Sequence, residues 1–527
     1  MIADIQLRVD PQTAAEPLRL SVALSTQQQI DVNRIKRLDI IKRSIDARQR
    51  RVMVNLTVRA HLDCIEEKVD IARPVEYRPL DANAHDAIVV GAGPAGLFAA
   101  LRLIEEGIKP ILIERGKDVD SRRRDIALIS REGVVNPESN YCFGEGGAGA
   151  YSDGKLYTRS KKRGPVEKIL NIFHQHGASR DILVDAHPHI GTDKLPEVIK
   201  AMRQTIIRCG GDVRFNTRLD GLVIEKSRVK AVQLSSPEGQ SVVDAGLGVI
   251  LATGHSARDI YHYLNDSKIK IEAKGIAVGV RLEHPQELID QIQYHSPQGR
   301  GKWLPAAEYS MLTRVDNRAV YSFCMCPGGF IIPAASTPGQ MVVNGMSPSN
   351  RGTKWSNSGM VVEVLPEDVN IKGLENSPLK MMAYQENIEK AFYADGDGSQ
   401  NAPAQRMNDF VLGRQSATLP ATSYAPGIHS ARIDKLLPIE IANRLKRGFE
   451  EFGRKSRGFL TNKAILIGDE TRTSSPVRIP RDVNTLEHVE IKGLYPCGEG
   501  AGYAGGIVSA AIDGDRCAEA LKLNAGK

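Results

Sequence analysis

The stretch DAIVVGAGPAGLFAALRLIEEGIKPILIERG, residues 86–116, combines short apolar runs and glycines in an order that decides the fold. Its first apolar run, residues 87–90, predicts a buried parallel strand, because such strands are apolar on both faces. A helix is expected from Pro94 to about Glu106, with Gly107 just past its end, since proline favours the first helical turn and glycine the position after the last. Residues 110–114 predict a second strand that ends in an acid. This order is typical of a parallel α/β unit.

Each glycine of the turn has its own physical role. Gly91 permits the tight turn, Gly93 lets a pyrophosphate approach the backbone, and Gly96 lets the helix pack closely on the strand. Free N–H groups and the dipole at the helix N-terminus attract the phosphates. Glu114 has the spacing of an acid that accepts hydrogen bonds from a ribose hydroxyl. The stretch therefore predicts a dinucleotide-binding site.

Three distant segments bear on which dinucleotide is bound. Residues 214–254 indicate alternating strands and turns that lead into the buried strand GVILATG. Residues 493–521 indicate a strand, a loop with Gly498 and Glu499, and a helix that begins near residue 506. Residues 140–159, NYCFGEGGAGAYSDGKLYTR, form a third, glycine-rich segment after the second strand.

Taken in this order, the segments resemble the FAD-binding domain of the glutathione-reductase-type flavoproteins. Further motifs are similar to those of a group of bacterial proteins called FAD-dependent or NAD-utilizing dehydrogenases: FGEGGAGAYSDGKLYTR, HPHIGTDKL, ATGHSARD, CMCPGG and ETRTSSPVRI. The resemblance covers nearly the whole chain. It implies FAD as the cofactor and leaves the substrate open.

The resemblance also implies which residues hold the FAD. Val223 would present its backbone to the adenine, and Glu499 would bind the ribityl chain or pyrophosphate, where the usual residue is Asp. The N–H groups of Gly506 and Ile507 would face the flavin and favour its anionic reduced form. The implied FAD contacts are Gly91, Gly93, Pro94, Ala95, Gly96, Glu114, Arg115, Gly146, Gly147, Gly149, Val223, Thr253, Gly254, Gly498, Glu499, Gly506 and Ile507.

The predicted fold class is α/β, with an insertion and an N-terminal extension. Residues 1–83 predict a small α+β, ferredoxin-like domain, in which DVNRIKRLDIIKRSIDA (residues 31–47) is the helix between two strands. Residues 84–274 and 463–527 predict the two parts of a Rossmann-like FAD-binding domain. Residues 275–462 predict a mixed α/β cap or substrate domain inserted over the flavin.

The chain contains no second glycine fingerprint, so the sequence predicts no separate fold for NAD(P)H. A nicotinamide that reduces this flavin would dock transiently in the cap cleft, which makes NAD(P)H a candidate co-substrate. Because the flavin performs the hydride or electron transfer, few catalytic side chains are expected.

Three residues are candidates for chemistry at the flavin. Cys324 and Cys326 form a C-x-C pair beside two glycines. The pair is either a redox-active dithiol or two ordinary thiols in a tight turn. His255 directly follows the ATG strand and is either a neighbour of the flavin or a helix-start residue that points to solvent.

Three further residues are candidates for substrate binding. His189, in DAHPHIGTDKL, either donates to an anion or has a structural role; its H-x-H pair with His187 lacks further ligands at recognised spacing, so no metal site is predicted. Arg472 and Arg478, in GDETRTSSPVRIPRD, match a carboxylate or phosphate, because arginine forks fit these oxyanions. Equally, these arginines could tether the cap by salt bridges.

Composition and charge limit the partners and the location. The net charge of +7 is concentrated in basic runs within residues 34–51 and 155–163, and such runs are usually solvated faces, less often sites for anionic ligands or RNA. Seven scattered cysteines predict reduced thiols. We expect a cytoplasmic protein, since no secretory pattern and no apolar run of membrane-spanning length is found.

The sequence therefore favours an FAD-dependent oxidoreductase. It would transfer a hydride or electron pair between a small organic substrate and NAD(P)H, quinone or oxygen. Two alternatives stay open: a flavoprotein that acts on or binds RNA through the basic N-terminal domain, and a non-catalytic FAD-binding sensor.

Overall fold

The computed structural model describes residues 2–63, 71–158 and 164–526 of the 527-residue chain. These ranges form a small N-terminal sheet, a parallel sheet with helices, and a large mixed sheet, besides three minor sheets. Among the described residues, no helix is both long and apolar enough to cross a membrane.

The N-terminal unit is a three-stranded antiparallel sheet with two helices. Its elements are β1 (Ile2–Val9), α1 (Pro11–Ala15), α2 (Pro17–Gln28), β2 (Ile35–Asp46) and β3 (Met53–Leu62). The strands pair in the order β1-β3-β2. Leu20 and Leu24 of α2 are buried in the core of this unit.

The helix predicted over residues 31–47 is wrong, because β2 occupies most of that segment. β2 forms a long antiparallel pair with β3, and Leu38 and Ile40, two residues apart, pack against the core as strand residues do. The first helix begins instead at Pro11, where the Asp10 side chain accepts a hydrogen bond of 3.0 Å from the Thr13 N–H.

The ferredoxin-like arrangement predicted for this unit is not found in the described residues. That fold needs a further helix and strand after β3. Residues 71–85 contain neither a helix nor a strand and lead directly into the next sheet.

The next unit follows the order predicted from residues 86–116. It contains β4 (Asp86–Val90), α3 (Pro94–Glu105), β5 (Lys109–Ile113), α4 (Arg122–Glu132), α5 (Val166–Gln175), α6 (Leu195–Arg208), β6 (Asp212–Arg214), β7 (Arg218–Glu225), β8 (Arg228–Ser236), β9 (Gly239–Asp244), β10 (Val249–Leu251) and α7 (Arg258–Asp266). The predicted strand, helix and strand are confirmed as β4, α3 and β5, and GVILATG as β10.

The chain then forms the inserted unit and returns. The inserted elements are β11 (Glu272–Ala273), β12 (Ile276–Pro285), α8 (Gln286–Gln293), β13 (Leu312–Val315), β14 (Arg318–Cys326), β15 (Phe330–Pro333), β16 (Val343–Met346), β17 (Trp355–Val364), α9 (Lys380–Ala394), β18 (Ala402–Arg406), α10 (Met407–Leu412), β19 (Ile428–Ser430), α11 (Ile433–Leu436), α12 (Ile439–Lys455) and β20 (Ile465–Glu470). The returning elements are β21 (Val477–Arg478), β22 (Leu494–Pro496) and α13 (Ile507–Ala525).

The parallel sheet has the strand order β22-β10-β4-β5-β6. All five strands run in one direction, so their carboxyl ends meet at one edge. β22 comes from the end of the chain, and α13 packs on α3: a Cβ added at Gly514 would lie 2.0 Å from the Ala95 carbonyl oxygen. The C-terminal segment therefore completes the sheet that residues 86–116 begin.

The inserted unit is built on a seven-stranded sheet of order β13-β14-β17-β12-β20-β18-β19. β20 pairs antiparallel with both β12 and β18. The sheet therefore continues past the boundary predicted at residue 462. β15 and β16 form a separate hairpin.

The buried guanidinium of Arg122, at the start of α4, holds the glycine-rich loop. It donates hydrogen bonds of 2.6–3.1 Å to the backbone carbonyls of Asn140, Tyr141, Glu145 and Gly147. Burial lowers the pKa of Arg122. Since all of these acceptors are main-chain oxygens, the guanidinium fixes the path of the loop backbone.

We expect Arg122→Met to lower the free energy of unfolding by about 3 kcal/mol, because several buried carbonyls lose their donor. Urea denaturation followed by circular dichroism measures this change. Arg124→Met, at an exposed position of the same helix, is the matched control and should change it by less than about 0.5 kcal/mol. Equal effects of the two substitutions would show that the loop does not depend on the guanidinium.

Candidate functional site

A cavity of about 380 Å³ lies where β4, β5 and β10 end. Ligands of open parallel α/β sheets bind at this edge. The inserted unit closes the other side of the cavity with Phe323, Cys324 and Asn344. The sequence-predicted residues that line the cavity are Gly91, Gly93, Pro94, Ala95, Glu114, Arg115, Gly147, Gly149, Thr253, Gly254, His255, Cys324, Arg472, Glu499, Gly506 and Ile507.

The three glycines of the fingerprint differ in what surrounds them. Gly91 has φ +101°, and a Cβ there would lie 2.4 Å from the Ala252 carbonyl oxygen. A Cβ at Gly96 would lie 1.8 Å from the Gly91 oxygen, so Gly96 serves helix packing and does not line the cavity. At Gly93 the nearest protein atom would be the Gly147 Cα, 3.9 Å away. The space over Gly93 is therefore open and fits a pyrophosphate.

The Glu114 carboxylate binds the backbone at the cavity wall. Its oxygens accept hydrogen bonds of 2.9 Å from the N–H groups of Ala92, Gly116 and Gly144. These donors belong to the fingerprint turn, the end of β5 and the glycine-rich loop. The predicted hydrogen bond from a ribose hydroxyl would use an acceptor position of the carboxylate that these three bonds do not occupy.

The adenosine side of the cavity differs in part from the prediction. Val223 does not line it; Thr217, Arg218 and Leu219, at the beginning of the same strand, do so. Arg115 lines the cavity and lies 4.3 Å from the Phe143 ring centre. Its guanidinium also donates to Glu138 at 2.8 Å and Asp259 at 2.9 Å.

Two glycines predicted to contact FAD support the site from behind. A Cβ at Gly146 would lie 2.5 Å from Cδ1 of Ile199, so this glycine packs on α6. The Gly498 N–H donates to Asp513 at 2.8 Å. Neither glycine lines the cavity.

His255 and Glu499 meet at the cavity, with 3.6 Å between His255 Nε2 and a Glu499 oxygen. Burial, together with the nearby Arg472 and Arg258, lowers the pKa of His255 to about 4. Burial raises the pKa of Glu499, although the Gly506 N–H opposes this shift. A carboxyl that retains its proton can donate a hydrogen bond to a pyrophosphate or ribityl oxygen.

Arg472 lines the cavity and is also bound to the inserted unit. It donates to Glu389 of α9 at 3.0 and 3.1 Å, and Arg258 donates to the same carboxylate twice at 2.8 Å. Burial opposes ionisation of Glu389, but the two guanidiniums outweigh burial and lower its pKa to about 2. The salt-bridge alternative for Arg472 therefore describes its contacts. A second carboxylate, Glu386, lies 3.7 Å from Arg258.

The other predicted substrate residues lie outside the cavity lining. His189 Nε2 lies 3.0 Å from the Ser349 carbonyl oxygen. Arg478 is exposed in β21, which pairs with β11. Cys326, predicted for chemistry at the flavin, also lies outside the lining and is fully buried beside Cys324.

Several cavity residues were missed from the sequence. Ser152, Asp153, Lys155 and Tyr157 follow the glycine-rich loop and line the cavity. Lys155 Nζ donates to the Met325 carbonyl of the inserted unit. The quoted motif AYSDGKLYTR contained these residues, but no spacing rule gives them a role. Phe323 and Asn344 have no local sequence signal, because β14 and the β15–β16 hairpin of the inserted unit bring them to the site.

Within the described residues, one group of possible metal ligands is Cys497, Asp513 and Cys517, whose ligand atoms lie within 4.8 Å of one another. Arg481 donates to Asp513 at 2.6 Å and to Cys517 Sγ at 3.3 Å. A guanidinium thus supplies the positive charge at this cluster.

Four of the eight basic residues within residues 34–51 form ion pairs with carboxylates. Arg34 pairs with Asp63 at 2.8 Å, and Arg43 with Asp185 at 2.6 Å. Arg37 and Arg48 also form ion pairs with neighbouring aspartates. The second basic run falls mostly on residues 159–163, outside the described residues.

Family profiles match most of the chain. The family described as FAD-dependent protein, C-terminal domain-like matches residues 275–473, and an FAD binding domain matches residues 84–249. A domain of unknown function matches residues 1–61. The prediction of FAD as cofactor is confirmed.

The chain is similar in sequence to proteins from a bacterium and an archaeon. A protein from Clostridium beijerinckii, named uncharacterized protein, is 42% identical over 504 residues, which is 92% of each chain. The thiamine thiazole synthase of Aeropyrum pernix is 28% identical over 183 residues, 33% of this chain and 55% of that protein.

Solved structures are more distant. A geranylgeranyl bacteriochlorophyll reductase-like protein from Thermoplasma acidophilum has a TM-score of 0.34 and 13% identity, covering 84% of this chain and 78% of that one. The 3-ketosteroid-delta4-(5alpha)-dehydrogenase from Rhodococcus jostii has a TM-score of 0.35 and 13% identity, covering 85% and 100%.

We expect Gly93→Ala to weaken FAD binding at least tenfold while the apoprotein keeps its thermal stability. The added methyl group meets no protein atom closer than 3.9 Å, so it crowds only the space left for the pyrophosphate. Fluorescence titration with FAD and thermal denaturation measure the two effects. Gly526→Ala, at the end of α13, is the control and should change neither; normal FAD affinity in Gly93→Ala would contradict the assignment.

The raised pKa of Glu499 predicts a pH dependence of FAD binding. Wild-type affinity should fall as pH rises through this pKa, because the carboxyl then loses the proton that it donates. Glu499→Gln keeps a donor without titrating, so its affinity should be independent of pH over the same range. Equilibrium dialysis at several pH values compares the two proteins, and parallel curves would argue against a protonated Glu499.

Proposed function

The chain belongs to the same family as the Clostridium beijerinckii protein, with which it aligns over 92% of its length, and we propose that it is an FAD-dependent dehydrogenase or reductase for a small organic substrate. It carries an FAD-binding domain and is a flavin-dependent oxidoreductase. The substrate class and the use of NAD(P)H as electron donor are the proposal.

One observation supports this function most directly. A single cavity runs from Glu114 and Arg115, at the ends of the parallel strands, to Phe323, Cys324 and Asn344 of the inserted unit. A dinucleotide held by the fingerprint would place its reactive end toward this second group. The inserted unit is therefore the natural source of substrate specificity.

The residues present fit FAD at both ends. The start of α3 offers free N–H groups over the open space at Gly93. At the start of α13 the Gly506 N–H faces Glu499, and the N–H of Ile507, the first helical residue, is available to the cofactor. When bound, FAD supplies the hydride or electron-pair transfer. The chain itself orients the cofactor, excludes water and balances charge.

Lys155 provides a positive charge at the inserted side of the cavity. Its ammonium lies 3.8 Å from Glu308, which in turn contacts His187, an exposed residue. Burial opposes ionisation of Glu308, but His187, Lys155 and Arg351 outweigh it and lower its pKa to about 2. The hydrogen bond with Glu308 in turn raises the pKa of His187. This row of groups connects the cavity with solvent and can hold a proton for the reaction.

Anaerobic addition of NADPH and then NADH tests the proposal. We expect one nucleotide to bleach the yellow band of the bound flavin. Lys155→Met should retain FAD but slow the bleaching at least tenfold, because the ammonium stabilises the negative charge that a reduced flavin gains. Stopped-flow absorbance measures the rate, and the FAD content of each preparation is the control.

Two outcomes would contradict parts of the proposal. A yellow protein that neither nucleotide bleaches would remove NAD(P)H as the donor. A colourless protein that FAD does not reconstitute would overturn the oxidoreductase assignment as a whole.

A further inference from the structure

We propose that Cys324 and Cys326 form a redox-active dithiol that exchanges an electron pair with the bound flavin. The inference rests on the proposed function, because it assigns a second redox centre to the same cavity. Cys324 lines the cavity, whereas Cys326 lies buried directly behind it. The pair is therefore open to the cofactor on one side and closed to solvent on the other.

The backbone brings the two sulfurs together. β14 pairs regularly with β17 up to Phe323, and its register shifts before Cys326. Cys324 has φ +44°, a left-handed conformation that non-glycine residues rarely adopt. The Cys326 thiol lies within hydrogen-bond reach of the Cys324 sulfur and 3.4 Å from its carbonyl oxygen. Strained conformations of this kind persist where the surrounding structure demands them, often at functional sites.

A buried cation, the Arg281 guanidinium, contacts the cysteine pair. Arg281 is fully buried and donates to the Cys324 carbonyl at 2.7 Å and toward Cys326 Sγ at 3.4 Å. Its other branch binds Glu470 at 2.9 Å. Such an environment favours a thiolate, which is the reactive form of cysteine.

The electrostatics agree with this geometry. The hydrogen bond from Cys326, with help from Arg281 and Lys155, lowers the pKa of Cys324 to about 6. The shared proton and burial raise the pKa of Cys326. These shifts favour the thiolate at Cys324, which lines the cavity, and the thiol at Cys326, behind it.

The exchange balances as a two-electron step. Oxidation removes the Cys326 proton and two electrons, and one S–S bond forms between the two sulfurs. Oxidised FAD takes up both electrons and a proton. In the reverse direction the electron pair breaks the S–S bond and returns a thiolate at Cys324 and a thiol at Cys326. A hydride donor, or dithionite in the test, supplies the electrons that enter the protein.

Electron counting tests the proposal on the holoenzyme. Anaerobic titration of the air-oxidised protein with dithionite should consume four electrons per FAD in the wild type and two in Cys326→Ser. Cys142→Ser removes another cysteine that lines the cavity and should retain the four-electron uptake. Uptake of two electrons by a wild-type protein that binds and reduces FAD would overturn the dithiol and leave the proposed function intact.

Thiol mapping gives an independent readout that needs no variant. Alkylation before and after reduction, followed by peptide mass spectrometry, should find a Cys324–Cys326 disulfide in the air-oxidised protein and two alkylated thiols after dithionite. Because the mapping uses only the wild-type protein, its outcome does not depend on whether Cys326→Ser folds. Complete alkylation of both cysteines in the oxidised protein would overturn the proposal.

Discussion

The Glu114 carboxylate is the point on which the cavity wall depends. Its hydrogen bonds to the N–H groups of Ala92, Gly116 and Gly144 join three loops that are far apart in sequence. Arg122 complements it by donating hydrogen bonds to carbonyls of the glycine-rich loop. A buried anion thus binds main-chain donors, and a buried cation binds main-chain acceptors. Together they satisfy loop backbone that helices and strands do not.

Buried charged groups also join the inserted unit to the FAD-binding domain. Glu389 of α9 receives Arg258 from α7 and Arg472 from the segment after β20, and all three side chains are buried. Removing Glu389 would leave two buried guanidiniums without the carboxylate that they share, so the position of both arginines depends on it. The arrangement fixes the position of the inserted sheet, and with it Phe323, Cys324 and Asn344, over the cavity.

The sequence allowed prediction of features that depend on local backbone rules. The strand, helix and strand of residues 86–116 follow from glycine, proline and apolar runs, and α13 begins one residue after Gly506 as expected. The N-terminal helix was misplaced because pairing with β3 outweighs the helical pattern of β2. The main-chain bonds of Glu114, and the approach of Lys155 to Met325, depend on contacts between distant segments and leave no signal in spacing.

The parallel sheet is discontinuous in the chain, since β22 and α13 follow the whole inserted unit. During synthesis the ribosome therefore delivers the fingerprint hundreds of residues before its partner helix. Domains generally fold as units, N-terminal first. Here, however, the side of α3 that packs on α13 stays uncovered until α13 has been synthesised. The inserted sheet has all its strands by residue 470, so it can fold while that side is still exposed. Glu499, Gly506 and Ile507 belong to this last segment, so the lining of the cavity is complete only after the segment has been made.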